Sequence, residues 1–253
     1  MAKLLIRMLR FTFLCLALFS LINMLYVVEV NEKDKTYHSD QEHRIFVQDE
    51  EINAQITFTP RDSKHVEIGR VHEKLYMVWL EEGFYTTLYF GIYDLPKGRF
   101  VHLRAITTRE FVSAPACTLD SRGYIHIAWM EKSYTWMIRY MKIDGKGDVL
   151  GEETFRLFEK ERFHHLWCSP ELICKFFGPS IAVDDGGQAY ITWVRPIKGR
   201  GAVVIRCVES GEETVLPWSG NVILPKIYYH KYLYVVWNMV GYHNSAIYVV
   251  KME

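Results

Sequence analysis

Pro179 to Trp193 reads PSIAVDDGGQAYITW, two short strands around a tight turn. Pro179 to Val183 alternates small and branched apolar residues, and Ala189 to Trp193 is a second apolar run. Asp184-Asp185-Gly186-Gly187 makes the turn, because Asp bonds its own backbone and Gly takes positive φ without steric penalty. The phrase occurs earlier as Pro115 to Trp129, PACTLDSRGYIHIAW. In both copies Pro lies fourteen residues before Trp, Asp nine before and Gly six before. The match identifies a repeat protein.

Working outward, the anchoring tryptophans are Trp79, Trp129, Trp193 and Trp237, spaced by 50, 64 and 44 residues. Repeat one runs through Val66-Glu67-Ile68, Leu75 to Trp79, Thr87 to Tyr93 and Phe100 to Ile106. Repeat two starts at Pro115 and continues through Met137 to Ile143, the turn Asp144 to Gly147, and Gly151 to Phe155. Repeat three starts at Pro179 and runs on through Ala202 to Val208 into Gly211 to Val215. The phrase Gly-Glu-Glu-Thr, at 151–154 and again at 211–214, reads as a second repeated element. Repeat four starts at Pro225 and ends with Ala246 to Lys251. Four-stranded units at this period predict an all-β fold, a β-propeller of about four blades. A five-bladed count, using residues 41–60, is the second choice. Repeat four lacks a fourth strand, so Arg44 to Gln48 or Gln55 to Thr59 is expected to supply it and close the ring.

Met1 to Val28 is a separate unit. Lys3, Arg7 and Arg10 precede Phe11 to Val28, an uncharged run of eighteen residues. That length just suffices for a membrane-spanning helix, and the basic flank orients it with the rest exported. A cleavable signal peptide wants small residues near the end of the run, where Ile22-Asn23-Met24-Leu25-Tyr26 stands instead. The preferred reading is an uncleaved anchor over residues 1–28, a polar linker over 29–42 and a propeller domain over 43–253. The protein would then be single-pass, with its membrane partner met through residues 11–28 and its C-terminal domain extracytoplasmic.

The chain has 30 basic and 30 acidic side chains. Without Lys3, Arg7 and Arg10 the balance is about −3, which offers no electrostatic footprint for nucleic acid. Of five cysteines, Cys117 and Cys207 fall in strands and read as small buried apolar residues. Cys168 and Cys174 lie close together in an irregular segment and would pair as a disulfide in an exported protein.

The pattern Pro-x-hydrophobic-Ala-hydrophobic-Asp-x-x-Gly, followed by a strand ending in Trp, resembles the repeats of sialidase-like proteins, the bacterial neuraminidase repeat group. The resemblance covers roughly residues 60–253. It implies the propeller fold more than an activity. Three departures stand out. The family's Asp-box, Ser-x-Asp-x-Gly-x-Thr-Trp, occurs nowhere in full. Arg44-Ile45-Phe46 carries Phe46 where the family's Arg-Ile-Pro element has proline. The family's enzymes usually have six blades.

In a propeller, ligands bind where the hairpins between strands two and three open. The residues just past each Trp are Glu81, Glu131, Arg195 and Asn238, and they are the candidate ligand-binding set. Their alternative is to be solvated hairpin residues. The long segment Arg156 to Gly178 adds His164, His165 and Trp167 to the candidates, as an aromatic-rich loop over the same face. His164, His165, Cys168 and Cys174 match no usual zinc spacing, so no metal or cofactor is expected. Asp120 and Asp184 recur at one turn position, which marks them as turn formers rather than catalysts.

Two functions compete. One is a membrane-anchored extracytoplasmic module that binds a protein or glycan. The other is a sialidase-like glycoside hydrolase, which needs paired carboxylates or a Tyr–Glu nucleophile at the channel mouth. A truncated propeller with an unpaired edge is a third possibility.

Overall fold

The computed structural model describes residues 46–48, 53–55, 62–157, 178–197, 200–220, 222–240 and 245–252. The chain divides into two units, Met1–Phe58 and Thr59–Glu253. In the first, β1 (Phe46–Gln48) pairs antiparallel with β2 (Asn53–Gln55). The anchor, the linker and most of the segment with His164, His165, Trp167, Cys168 and Cys174 lie outside the described residues.

The second unit is all-β and propeller-like. Its first sheet is β3 (Asp62–Val71), β4 (Lys74–Glu82), β5 (Thr86–Asp94) and β6 (Arg99–Arg109), paired in that order. The second joins β9 (Ile125–Lys132), β10 (Trp136–Ile143) and β11 (Val149–Arg156). Its inner edge is split into β7 (Phe111–Val112) and β8 (Ala116–Leu119), both paired with β9. Pro115 lacks the N–H for an unbroken strand, and Ser113 bridges the gap, its N–H and its Oγ bonding the Met130 backbone. The third sheet is β12 (Ser180–Val183), β13 (Ala189–Ile197), β14 (Arg200–Cys207) and β15 (Glu213–Gly220). The fourth is β16 (Val222–His230), β17 (Tyr232–Val240) and β18 (Ser245–Met252).

Each sheet is a meander, so the strands expected in the four repeats are found within a few residues of their sequence bounds. The inner strands follow one another: β3 lies beside β8, β8 beside β12 and β12 beside β16. The charge of Lys226 on β16 reaches Glu67 on β3, so first and last inner strands come near each other. Burial raises the Glu67 carboxyl, and Lys226 pulls it partly back. Among the described residues the fourth sheet has three strands; of the segments expected to supply a fourth, residues 44–45 and 56–59 lie outside the described residues. Phe46–Gln48 takes Asn53–Gln55 as its partner instead.

The second strands of the first and second sheets, β4 and β9, are buried on both faces, which explains their continuous apolar runs. On β9, Ile125, Ile127 and Trp129 pack toward the first sheet, while Ala128 and Met130 pack toward the third. Trp193 sits in the core shared with the second sheet, and Trp237 in that shared with the third. Each of Trp129, Trp193 and Trp237 is at most 2% exposed. A buried Trp removes roughly 150–250 Å² from water. At about 25 cal/mol per Å² that is about 4–6 kcal/mol each, as an upper estimate.

The turns use the aspartates as their sequence implies. Asp120 Oδ1 accepts the Arg122 and Tyr124 N–H groups at 2.9 and 2.8 Å. Asp184 Oδ1 accepts the Gln188 N–H at 2.9 Å, and Asp144 Oδ1 those of Lys146 and Asp148 at 2.8 and 2.9 Å. The Gly-Glu-Glu-Thr phrase is not a structural repeat. Gly147 and Gly211 both close the turn between third and fourth strands with positive φ, 99° and 72°. Arg139 and Val204, each opposite the Trp of its sheet, pair with Thr154 and Val215, so the two phrases are one residue out of register and their side chains alternate to opposite faces.

Gly147 also marks where the second sheet's turn meets the first sheet. A Cβ there would lie 2.5 Å from His102 Nδ1, whereas one at Gly123, φ 79°, would meet nothing within 4 Å. Gly123→Ala therefore costs only the conformational penalty, about 1–2 kcal/mol. Gly147→Ala adds a clash between sheets and should lower the urea midpoint clearly further. Equal midpoints for the two variants would show that the contact does not matter.

Candidate functional site

Strand geometry sorts the four candidates. Residues two apart on a strand share a face. Glu81, Glu131 and Arg195 each stand two residues past their Trp and lie on its side of the sheet. Asn238 stands one residue past Trp237 and faces the other side; Met239 holds the equivalent position. The four candidates therefore do not form one set.

Glu81 and Glu131 are not solvated hairpin residues either, being 2% and 0% exposed. Trp79 Nε1 donates to Glu81 Oε1 at 3.4 Å, and Trp129 Nε1 donates to Glu131 Oε2 at 3.0 Å. A buried indole N–H needs an acceptor, and a carboxylate two residues on supplies it. The Nε1 atoms of Trp193 and Trp237, followed at that position by Arg195 and Met239, have no hydrogen-bond partner among the described residues. Arg195 turns to Glu213, its Nη2 donating to Oε2 at 2.8 Å, and Arg206 Nη1 donates to Oε1 of the same carboxylate at 3.2 Å. Both guanidinium groups cover aromatic rings, Arg195 over Trp193 and Arg206 over Phe155. This arrangement closes the face between the second and third sheets.

Two clefts remain open. One, of about 330 Å³, lies at the turn end between the third and fourth sheets. It is lined by Tyr190, Tyr229, Tyr232, Asp184, Glu212 and Lys231, among others. Burial, followed by the Asp184 charge, pushes the Tyr190 hydroxyl up to about 12. The hydrogen bond to Asp185, at 3.0 Å, raises that of Tyr229. Both phenols are neutral donors at pH 7. Aromatic faces beside carboxylates suit a neutral polyhydroxylated ligand.

The other cleft, of about 360 Å³, lies between the outer strand of the first sheet and the second sheet. Arg104 and Arg109 come from β6 and Arg139 from β10, with Trp129 at the back and Glu152 at the edge. Glu131 lies behind it, its Oε1 3.4 Å from Arg139 Nε and 3.7 Å from Arg109 Nε. The sequence reading passed over these arginines because no repeated motif contains them.

A buried polar network also escaped the sequence reading. His126, 0% exposed, faces Asp120 through Nε2 at 3.4 Å and Tyr140 through Nδ1 at 2.8 Å. The neutral tautomer with its proton on Nε2 satisfies both, donating to Asp120 and accepting from Tyr140. Lys142 Nζ lies 3.9 Å from the same Asp120 oxygen, and the Glu209 charge is felt from the third sheet. In the third repeat Tyr190 takes the place of His126 and donates to Asp184 at 3.3 Å. The recurrence makes this a device for bracing the turn; burial closes the His126 copy to ligands, while the Tyr190 copy lines the first cleft.

No protein-family model and no curated protein matches the chain. Solved structures are similar in fold. A hydrazine synthase of Kuenenia stuttgartiensis shares 13% identity over 88% of this chain and 69% of its own, with a TM-score of 0.50. A neuraminidase-like protein of A/flat-faced bat/Peru shares 8% over 86% and 69%, with a TM-score of 0.45. A GH43 enzyme from Xanthomonas citri, solved with xylotriose, shares 12% over 86% of each chain, with a TM-score of 0.43. At such identities the likeness concerns the fold alone.

Glu131→Gln keeps an acceptor for Trp129 but leaves the partly exposed Arg109 and Arg139 without their anion, so it should destabilise by about 1–2 kcal/mol. Glu81→Gln, at a site where the indole is the hydrogen-bond partner among the described residues, should change stability by less than about 1 kcal/mol. Chemical denaturation of both variants checks the ranking; a Glu131→Gln variant as stable as the parent would contradict it.

Burial holds His126 below its ordinary value of 6.5, against the opposing pull of Asp120. Below that value the unfolded chain binds a proton that the folded chain resists, so stability is full above about pH 6.5 and falls as pH drops through the depressed folded value. His126→Gln should flatten the pH dependence of the unfolding midpoint between pH 7.5 and 5. An unchanged slope would assign it to other groups.

Proposed function

We propose that this chain is a membrane-anchored, extracytoplasmic recognition module whose propeller-like unit binds a protein or glycan ligand. The observation that carries this reading is the fate of the carboxylates beside the tryptophans. Glu81 and Glu131 are buried acceptors for indole N–H groups, and Glu131 is further paired with two arginines. Glycoside hydrolysis needs carboxyl groups free to meet a sugar from solvent. These two are engaged in the frame of the sheets. What the described surface offers instead is binding chemistry: an aromatic cleft at one end and an arginine cleft on the flank. The anchoring half of the proposal rests on the uncharged run Phe11 to Val28 behind Lys3, Arg7 and Arg10.

The competing reading is a sialidase-like glycoside hydrolase, and one experiment separates the two. The full chain, purified in mild detergent, is applied to a glycan array and assayed in parallel on fluorogenic sialosides and other glycosides. Binding without turnover is the expected outcome. Turnover at a steady rate above the heat-denatured control would move the protein to the hydrolases. Silence on the array would restrict the ligand to a protein. Membrane fractionation with protease digestion of intact cells tests the anchor: the C-terminal unit should be digested from outside, and a protected or freely soluble chain would refute the topology.

A further inference from the structure

We propose that the cleft between the first and second sheets is a binding site for an oxyanion, a carboxylate, sulfate or phosphate group carried by a ligand. Arg104, Arg109 and Arg139 are its donors. The proposal goes beyond the recognition reading and does not depend on it.

The first argument is the state of the donors. A guanidinium carries five N–H groups in a fixed fork. Among the described residues Arg104 has one acceptor, the Met141 thioether at 3.6 Å, which is a weak one. Arg109 Nη1 donates to the Thr108 carbonyl at 3.0 Å, and its Nε points to Glu131. Arg139 Nη1 donates to Thr154 Oγ1, and its Nε also points to Glu131. The fixed acceptors thus engage a minority of the fifteen donors that three arginines present. Arg109 and Arg139 keep 44% and 32% of their side-chain surface exposed.

The second argument is the role of Glu131. Its side chain is 1% exposed, and its Oε1 lies between two guanidinium groups at ion-pair rather than hydrogen-bond distance. Burying a carboxylate is expensive unless it is paired, and such pairs seldom add net stability. One buried negative charge facing the Nε of both arginines, with each Nη1 bonded to a threonine oxygen, leaves both Nη2 groups without a bond among the described residues. Glu131 is in this sense a positioning residue.

The third argument is that local backbone and sequence depart from the repeat at this place. The pairing of β5 with β6 slips between Leu88, opposite Thr107, and Tyr89, opposite Ala105. The extra residue is Ile106. A bulge reverses the alternation of faces beyond it, so Arg104 and Arg109, an odd number apart, project to the same side. On β10, Arg139 stands opposite Trp129. The residues opposite Trp79 and Trp237 are Tyr89 and Tyr248, stacked on the indoles at 5.5 and 5.6 Å. The second sheet has an arginine where the first and fourth have that tyrosine. The neighbouring arginine pair, Arg195 and Arg206, shows what a closed version looks like: Glu213 bonds both.

The test uses the full chain and inorganic sulfate, titrated at constant ionic strength against chloride, with thermal midpoint and tryptophan fluorescence as readouts. Trp129 at the back of the cleft makes the second readout local. Sulfate should bind saturably. The pair Arg104→Gln and Arg109→Gln, which leaves Arg139 and Glu131 in place, should weaken it at least tenfold. Arg104→Lys keeps the charge and loses the fork, and should weaken it several-fold. Arg122→Gln, at an exposed turn away from the cleft, should leave it unchanged. Competition with sulfated and with carboxylated oligosaccharides then distinguishes the group that the natural ligand carries, by which one displaces sulfate. Absence of saturable binding of sulfate, phosphate and acetate would overturn the proposal. So would equal affinity in the folded double variant and the parent.

Discussion

A four-stranded sheet with apolar residues on both faces cannot be stable by itself, and the rest of this molecule follows from that constraint. Water must be kept from two faces of every second strand, and only neighbouring sheets can do it. Trp129, Trp193 and Trp237 do this at each junction, reaching from the second strand of one sheet into the core shared with the sheet before it. The turns are fitted to the same purpose. Gly147 admits His102 from the neighbouring sheet, Tyr229 bonds Asp185, and Ser180 Oγ accepts the Ile227 N–H of the next inner strand at 3.2 Å.

Packing of this kind sets a local problem for the indole N–H, which is carried into the core with the ring. The first and second sheets answer it with a glutamate two residues on. The third and fourth leave Trp193 and Trp237 without a hydrogen-bond partner among the described residues. The absence of an acceptor costs about 1–3 kcal/mol at each place. It releases the same position for another use, and in the third sheet Arg195 bridges to Glu213 on the outer strand. The glutamates are therefore part of the frame, and a carboxylate's place near a hairpin says little about its chemistry until its burial is known.

Much of the fold was legible in the sequence, for a physical reason. Tryptophan spacing, the Asp–Gly turns and alternating strands are local features, and local features repeat when the structural unit repeats. Asp120 and Asp184 were readable as turn formers on that ground, and the structure gives both their backbone bonds. Burial was not legible, because it depends on which sheet covers which face. Glu131 looks like a polar hairpin residue in the sequence and is wholly enclosed by Arg109 and Arg139 from two sheets. Asn238 could have been set apart from the other candidates by parity alone, since it follows Trp237 by one residue where they follow by two. The bulge at Ile106 leaves no signature such as glycine, and the Gly-Glu-Glu-Thr match was a coincidence of composition that only the strand register exposed.

An internal repeat also provides a way to separate structure from function within one chain. Positions filled alike in two or more sheets answer shared demands: the tryptophan in all four, the turn aspartate in the second and third, the tyrosine stacked opposite the indole in the first and fourth. A position filled differently in one sheet answers a demand of that sheet alone. Arg139 is such a position, and it does not depart singly, because Arg104, Arg109, the bulge and the buried Glu131 converge on the same 360 Å³. Random drift at a buried aromatic site would leave a smaller apolar residue, as Val204 does opposite Trp193. Placing a guanidinium there requires a carboxylate behind it and open space in front of it, and both are present. The departures from the repeat, more than the repeat, therefore point to where this molecule meets its ligand.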